Sequence, residues 1–436
     1  MTGFNAPGMA GPAGGPAGGA SQGVGTLTGS PNVPAYVQFT NPALRGAVNH
    51  ASPIGLDRII RREVMLGIVR EIVPPLQHIG TTLCPWLEVD SDDVIFGYAQ
   101  GQADGLIPAR AEDAEAELAQ KDDTFLTEGR ASVIDWAVKD HYDASDVQRA
   151  REWLRIRELM RDQEVLPLTA GSAGADFAAK LTRDAVKRKR KLDNRIEWLI
   201  MSALSTGAIA YNDGRIKFAV DFLRPGNQQA VAPGTTLSTG NVLGTGWSNT
   251  NSDPIGDIIA IQQYMFDVYG ITIRKAMVSR KILNMIMKSD KFVARSGLVV
   301  GGTPSSPINP NYVIDGWGPA AAIAIVAQQT GITFIEYDSV YRTRNVASNT
   351  FVNNRFFPEN RILFMPDEAE VAEFDDTELG MGRLLTSPHP ANNWSPGVYN
   401  WDHEYGVDPW GADYGTGVKA FPVFPHMDLT LTYDVF

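Results

Sequence analysis

One segment constrains this fold more than any other. From Asp176 to Ser205, the residues Phe177, Leu181, Ala185, Leu192, Ile196, Leu199, Ala203 and Leu204 recur at helical spacing. A helix of about 30 residues is on the order of 45 Å long, which suits a structural strut. Asp176 is read as its N-cap and Gly207 as the residue past its C-terminus. Its centre holds Lys187, Arg188, Lys189, Arg190 and Lys191. Five consecutive residues cover more than one turn, so this run cannot all face one partner.

The rest of the chain must pack along that strut. With 436 residues it is long enough for about three structural units. Hydrophobic residues make up 44% and charged residues 20%, which excludes global disorder. Thirty-eight Lys+Arg face 50 Asp+Glu, a net charge of −12. That balance weighs against a dedicated nucleic-acid binder, which needs a basic footprint to displace counterions. Cys84 is the single cysteine, so an intrachain disulfide and a cysteine zinc cage are both excluded. The longest apolar run, Trp317 to Ala327, is short and broken by Gly318 and Pro319, so no membrane span is expected. The first 44 residues carry no charged side chain, and no secretory leader is read there.

Residues 1–30 are rich in Gly, Ala and Pro and read as a flexible arm. A helix is predicted from about Pro53 to the Pro74-Pro75 stop, and another from about Ser145 to Asp162. Between them, VIFGYA and FLTEGRASVIDWAV read as strands flanking an acidic stretch. That stretch contains Glu112, Asp113, Glu115, Glu117, Asp122 and Asp123, and predicts a long β-hairpin or extended loop with a charged tip, the alternative being a short exposed helix in a surface loop. The stretch TAGSAGAD reads as a break before the strut. After the strut, Asp213-Gly214 predicts a hairpin. Asp253-Pro254 opens a helix as N-cap and first residue. ITIRKAMVS, ITFIEYDS, RILFMP and the last residues read as strands, RKILNMIMKS and PAAAIAIVAQQ as helices. The segment 388–416, with Trp394, Tyr399, Trp401, Tyr405, Trp410 and Tyr414, reads as loop pinned by large side chains at a packing or subunit interface.

Catalytic chemistry finds little support. Gly19 to Gly23 matches G-x-S-x-G, but it lies in the low-complexity arm without the strand-to-helix turn a nucleophile needs. The six histidines (His50, His78, His141, His389, His403, His426) show no metal-binding spacing, and Asp402-His403-Glu404 is a common surface pattern. No phosphate-binding glycine loop follows a strand. No catalytic residue, metal site or cofactor is expected. The basic run allows three readings: charge pairing with the acidic 112–123 segment, a solvated helix face, or DNA contact. Pairing between subunits is preferred, which makes Lys187, Arg188, Lys189, Arg190 and Lys191 with Glu112, Asp113, Glu115, Glu117, Asp122 and Asp123 the candidate intersubunit residues.

Three segments carry a resemblance to a known family. They are RKLDNRIEWLIMSALSTGAIAYND, DVYGITIRKAMVSRKILNMIMKSDKFVARSG and FFPENRILFMP. Their order is similar to that of the lambda-type (E family) phage major capsid proteins: a spine helix, a helix–Gly–strand–helix module, and an F-x-P-x-N turn entering a strand. The resemblance implies an α+β, Hong Kong 97-like capsid fold. It implies an N-terminal arm at 1–52, an extended loop at 85–140 and an axial domain at 225–365. A peripheral domain would comprise 53–84 and 141–224 with the spine helix, and 366–436 would return to it with the aromatic insert. The implied role is structural: hexamers and pentamers forming an icosahedral shell around double-stranded DNA in the virion, assembled in the bacterial cytoplasm. Implied partners are further copies of the chain, a portal, and possible scaffold or decoration proteins, with no membrane. An encapsulin-like compartment shell and an unrecognised hydrolase are the alternatives.

Overall fold

The strut is present in the computed structural model, which describes residues 77–99, 126–143, 170–214, 216–295, 319–345, 349–374, 379–405 and 411–436, with isolated positions at 66–75 and 145–148. The long helix, α2, spans Ala170–Thr206; α1 is the single turn Gly80–Leu83. Helix α2 therefore starts within the stretch read as a break, and Asp176 lies inside it, a correction to the N-cap reading. Alanine is the strongest helix former, and the alanines of AGSAGADFAA offset the two glycines. The helix stops where expected: Gly207 is left-handed (φ 67°), and its N–H donates to Ala203 O at 2.8 Å.

One face of α2 (Leu192, Ile196, Leu199, Ile200 and Ala203) enters the first hydrophobic core. That face packs on a five-stranded sheet. Its central strand, β14 (Gly411–Val423), pairs along one edge with β4 (Ile134–Asp143). Along the other edge it pairs with β13 (Val398–Tyr405) and then β12 (Arg383–Thr386). Strand β1 (Trp86–Glu88) adds in parallel to β12. So much of the aromatic segment 388–416 is strand, a correction to the loop reading. Glycines suggested turns there, but Gly415 lies opposite Trp401 and Gly417 opposite Tyr399 in the ladder. A Cβ at Gly415 would clash with the Trp401 indole, and one at Gly417 would lie 2.5 Å from the Tyr399 ring. The glycines are seats for aromatic rings.

Strands β2 (Asp93–Ala99) and β3 (Leu126–Ser132) pair in full antiparallel register and form the base of the expected hairpin. Its tip, with Glu112, Asp113, Glu115, Glu117, Asp122 and Asp123, lies outside the described residues. So do the arm, the G-x-S-x-G match, most of the helix expected after Pro53, and most of the one at 145–162. Strands β5 (Ala208–Asn212) and β6 (Lys217–Asp221) make the hairpin predicted from Asp213-Gly214, with Gly214 at φ 83°.

The second core lies around a four-stranded sheet ordered β15-β11-β7-β8. Its strands are β7 (Ile273–Val278), β8 (Thr333–Glu336), β11 (Arg361–Pro366) and β15 (Leu431–Asp434). Helix α3 (Pro254–Tyr269) begins as predicted, the Asp253 carboxylate accepting from Gly256 N–H at 3.0 Å. Helices α4 (Arg280–Lys288), α5 (Asp290–Arg295) and α6 (Pro319–Thr330) follow. Strand β11 is the wall between the two cores. Leu363 and Met365 enter the first, and Ile362 and Phe364 the second. A strand buried on both faces reads as the continuous apolar run ILFM. Strands β9 (Val340–Asn345) and β10 (Thr350–Arg355) form a separate hairpin, and α7 is Glu368–Phe374.

Candidate assembly surfaces

The basic run at the centre of α2 is divided by burial. Arg188 is 2% exposed; its Nη1 donates to Asp140 Oδ2 at 2.8 Å and its Nε to Thr416 Oγ1 at 3.3 Å. Those partners stand on β4 and β14, so Arg188 ties the helix to its own sheet. Lys189 is buried too, paired one turn along with Asp193. Lys187 bonds the neighbouring Asp184 at 3.1 Å and is exposed, as are Arg190 and Lys191. Of the five basic residues, then, two serve the subunit's interior and three face outward.

The C-terminal end of α2 is satisfied by side chains from later in the chain. Arg224 Nη2 donates to Leu204 O at 2.9 Å, Arg361 Nη1 to Ser205 O at 2.8 Å, and Gln229 Nε2 to Thr206 O at 2.7 Å. Arg361 also grips Asp434 with two hydrogen bonds, at 2.7 and 2.9 Å. Two guanidinium groups at a helix C-terminus complement both the unpaired carbonyls and the negative end of the dipole. Arg224 is 6% exposed; burial, and then Arg361, work against its charge. Since Arg361 opens β11 and Asp434 closes β15, this cluster locks the strut to the second sheet.

A third node lies midway along α2. Glu197 is 1% exposed and accepts from Ile79 N–H (3.2 Å), Gly80 N–H (2.9 Å) and Tyr337 O–H (2.7 Å). Burial raises its carboxyl above the ordinary range, and the three hydrogen bonds pull the other way. Close by, a cleft of about 290 Å³ is lined by Ile72, Trp86, Asp193, Ile196 and Val398 among others. In the sheet, Asp413 receives Lys139 Nζ at 2.7 Å and Tyr405 O–H at 3.0 Å, and pairs with His141 Nδ1 at 2.6 Å. Burial would raise this carboxyl, but Lys139, His141 and Tyr405 together hold it below the ordinary value.

Exposed apolar side chains gather on a few elements. Hairpin β9–β10 exposes Phe351 (68%). The outer side of α3 presents Ile259 and Phe266, seven residues and two turns apart. Trp394 is 71% exposed, while Tyr399 and Tyr414 of the same aromatic segment are buried. Among the described residues no group of three His, Cys, Asp or Glu could hold a metal, and no helix is long and apolar enough to cross a membrane. Sequence reasoning passed over Arg224, Arg361 and Glu197. The partners of each are distant in sequence, so no local spacing marks it.

The profile of the phage major capsid protein E family matches residues 89–374, well over half of the chain. The chain belongs to the phage major capsid protein E family. It is a structural protein of the virion capsid and not an enzyme, and capsid proteins form shells as homo-oligomers. Among solved structures it is similar to a putative prophage capsid protein of E. coli CFT073, at 13% identity, covering 86% of this chain and 99% of that one with a TM-score of 0.49. It is also similar to a phage-related protein of Bordetella bronchiseptica RB50, at 14% identity, 86% and 96% coverage and a TM-score of 0.45. No curated protein matches the chain.

Proposed function

We propose that this chain builds the icosahedral shell of a tailed double-stranded DNA bacteriophage from hexamers and pentamers, with a Hong Kong 97-like subunit layout. The observation that carries this reading is the family match across residues 89–374, which spans the base of the extended hairpin, the strut and most of the second core. In the proposed layout residues 1–52 are an arm, 85–140 an extended loop and 225–365 an axial domain. Residues 53–84 and 141–224 form a peripheral domain, to which 366–436 return. The two cores support the division, since α2 and the β14 sheet dominate one and α3, α4 and α6 the other. Further copies, a portal and possible scaffold or decoration proteins are the proposed partners. The net charge of −12 suits a container that encloses DNA without gripping it.

The proposed intersubunit charge pairing now rests on Lys187, Arg190 and Lys191, with the acidic residues Glu112 to Asp123 of a neighbour as their partners. Arg188 and Lys189 support it only indirectly, by fixing the helix that displays the other three. No observation of its own favours an encapsulin-like compartment. Negative-stain electron microscopy of the expressed chain, alone and with its gene neighbours, tests the proposal. Closed shells or six-fold rings are expected; particles of single-subunit size under every condition would refute it.

A further inference from the structure

We infer that Asp92 is a positioning residue that fixes the direction in which hairpin β2–β3 leaves the subunit, and thereby which surface of a neighbouring copy the hairpin reaches. The second half rests on the shell reading above; the first concerns one subunit alone. Strands β2 and β3 pair with each other and with no other strand among the described residues. The hairpin therefore takes no direction from hydrogen bonding to the five-stranded sheet. Two short joints connect it to the rest of the subunit. On one side Val133 alone separates β3 from β4, and it is buried in the first core. On the other, the exposed Ser91 and Asp92 lead into β2. One buried point fixes where a hairpin starts and not which way it points. A restraint on the other strand is needed to set the angle.

Asp92 supplies that restraint. Its carboxylate accepts from Lys419 Nζ at 3.0 Å (Oδ1) and 2.8 Å (Oδ2), and from Ser387 Oγ at 2.6 Å (Oδ1). Lys419 stands on β14 opposite Asp135 of β4, and Ser387 directly follows β12. The main-chain O of Asp92 accepts from Val133 N–H at 2.8 Å. One residue thus ties the start of β2 to the β3–β4 joint and to two strands of the five-stranded sheet. The hydrogen bonds from Lys419 and then Ser387 hold its carboxyl below the ordinary value, so both are charge-assisted at neutral pH. The neighbouring acids are engaged elsewhere: Asp93 accepts from Ser132 within the hairpin, and Asp135 from Tyr399 within the sheet. The Asp92 side chain is 56% exposed, and an ion pair that open adds little to folding stability. Its leverage is geometric. Seven strand residues extend about 23 Å, so a swing of about 10° at the base moves the far end by roughly 4 Å. Segment 100–125 joins the two strands at that end and carries the candidate intersubunit acids Glu112 to Asp123.

The test reads direction in the subunit first and assembly second. The full chain, kept below its assembly concentration, carries spin labels at Glu128→Cys on β3 and Ala137→Cys on β4, on either side of the Val133 joint; Cys84 is buried and stays unlabelled. Double electron–electron resonance should give one narrow distance distribution. Asp92→Ala and Lys419→Met should each broaden it by about twofold or more, and Lys419→Arg, which keeps the cation, should not. All three should melt within about 2 °C of the unsubstituted chain. Under assembly conditions Asp92→Ala should give shells of mixed diameter or open sheets by negative stain. A distribution unchanged by Asp92→Ala, or one already broad in wild type, overturns the inference. So does a melting temperature far below that limit, which would make Asp92 a folding residue. Shells of uniform wild-type diameter from Asp92→Ala with a broadened distribution overturn the link to assembly. If wild type forms no shell under any condition, the shell reading fails, and the distance distributions still decide what Asp92 does.

Discussion

Glu197 and Asp413 are both buried carboxylates, yet they answer to pH with opposite sign. Glu197 has three donors around it and no cation among the described residues. Its folded-state pKa lies above the ordinary 4.5, because burial outweighs the hydrogen bonds. The folded protein therefore holds that proton more tightly than the unfolded chain does. Stability from this group is greatest below pH 4.5 and declines as pH rises through the folded value. Glu197→Ala strands two backbone N–H groups and the Tyr337 hydroxyl, and should cost about 3 kcal/mol. Glu197→Gln keeps an acceptor; denaturant melts from pH 4.5 upward should show wild type losing stability relative to this variant. Asp413 runs the other way. Its pKa is held below 3.8, so its contribution is full above that pH and disappears as acid protonates it. Asp413→Asn should flatten the acid limb of the stability profile below pH 3.8, read by the same melts. Neither residue was legible beforehand. Glu197 meets Tyr337 across 140 positions and Asp413 meets His141 across 272, distances over which only the fold makes neighbours.

At the scale of elements, legibility follows whether the signal is local. The 3.6-residue period of α2, the Asp253-Pro254 start of α3 and the Asp213-Gly214 hairpin are all set by residues within one or two turns of each other, and each forms. The strands of the aromatic segment are set by cross-strand seats instead: Trp401 over Gly415 and Tyr399 over Gly417. Read along the chain, those glycines look like turns; read across the ladder, they are what permits the ladder. Gly415→Val should therefore destabilise the subunit by about 2 kcal/mol or more, although valine is the better strand former. A thermal melt unchanged by that substitution would contradict the seat. The basic run divides in the same way. The charge was visible, but the burial of Arg188 depends on Asp140 and Thr416. Arg188→Ala should cost about 2 kcal/mol, because it removes the packing of a buried side chain and its hydrogen bonds to Asp140 and Thr416. Lys191→Ala should stay within about 0.5 kcal/mol of wild type in the same melts.

For the molecule as a whole, assembly brings together copies that each carry −12, so two electrostatic terms oppose each other. General repulsion between subunits weakens as salt rises, because charges beyond about 8 Å are screened at physiological ionic strength. Specific pairing of Lys187, Arg190 and Lys191 with the acidic 112–123 segment also weakens with salt, and its loss disfavours the shell. The two can be separated by charge exchange. Reversing the basic face (K187E, R190E and K191E) changes the net charge from −12 to −12 − 6 = −18 and removes the pairing. Adding E112K, E115K and E117K returns the net charge to −18 + 6 = −12 and restores the pairing with its sign inverted. Light scattering at low and high salt should show the first variant failing to assemble when salt is low. The six-fold variant should recover assembly with a salt dependence like that of wild type. If general repulsion alone governs, high salt should rescue the first variant as fully as the charge exchange does. If the six-fold variant fails to assemble although its net charge is restored, these residues do not pair. Arg188 and Lys189 are left unchanged in every variant, since their partners lie inside the subunit and their loss would test folding rather than assembly.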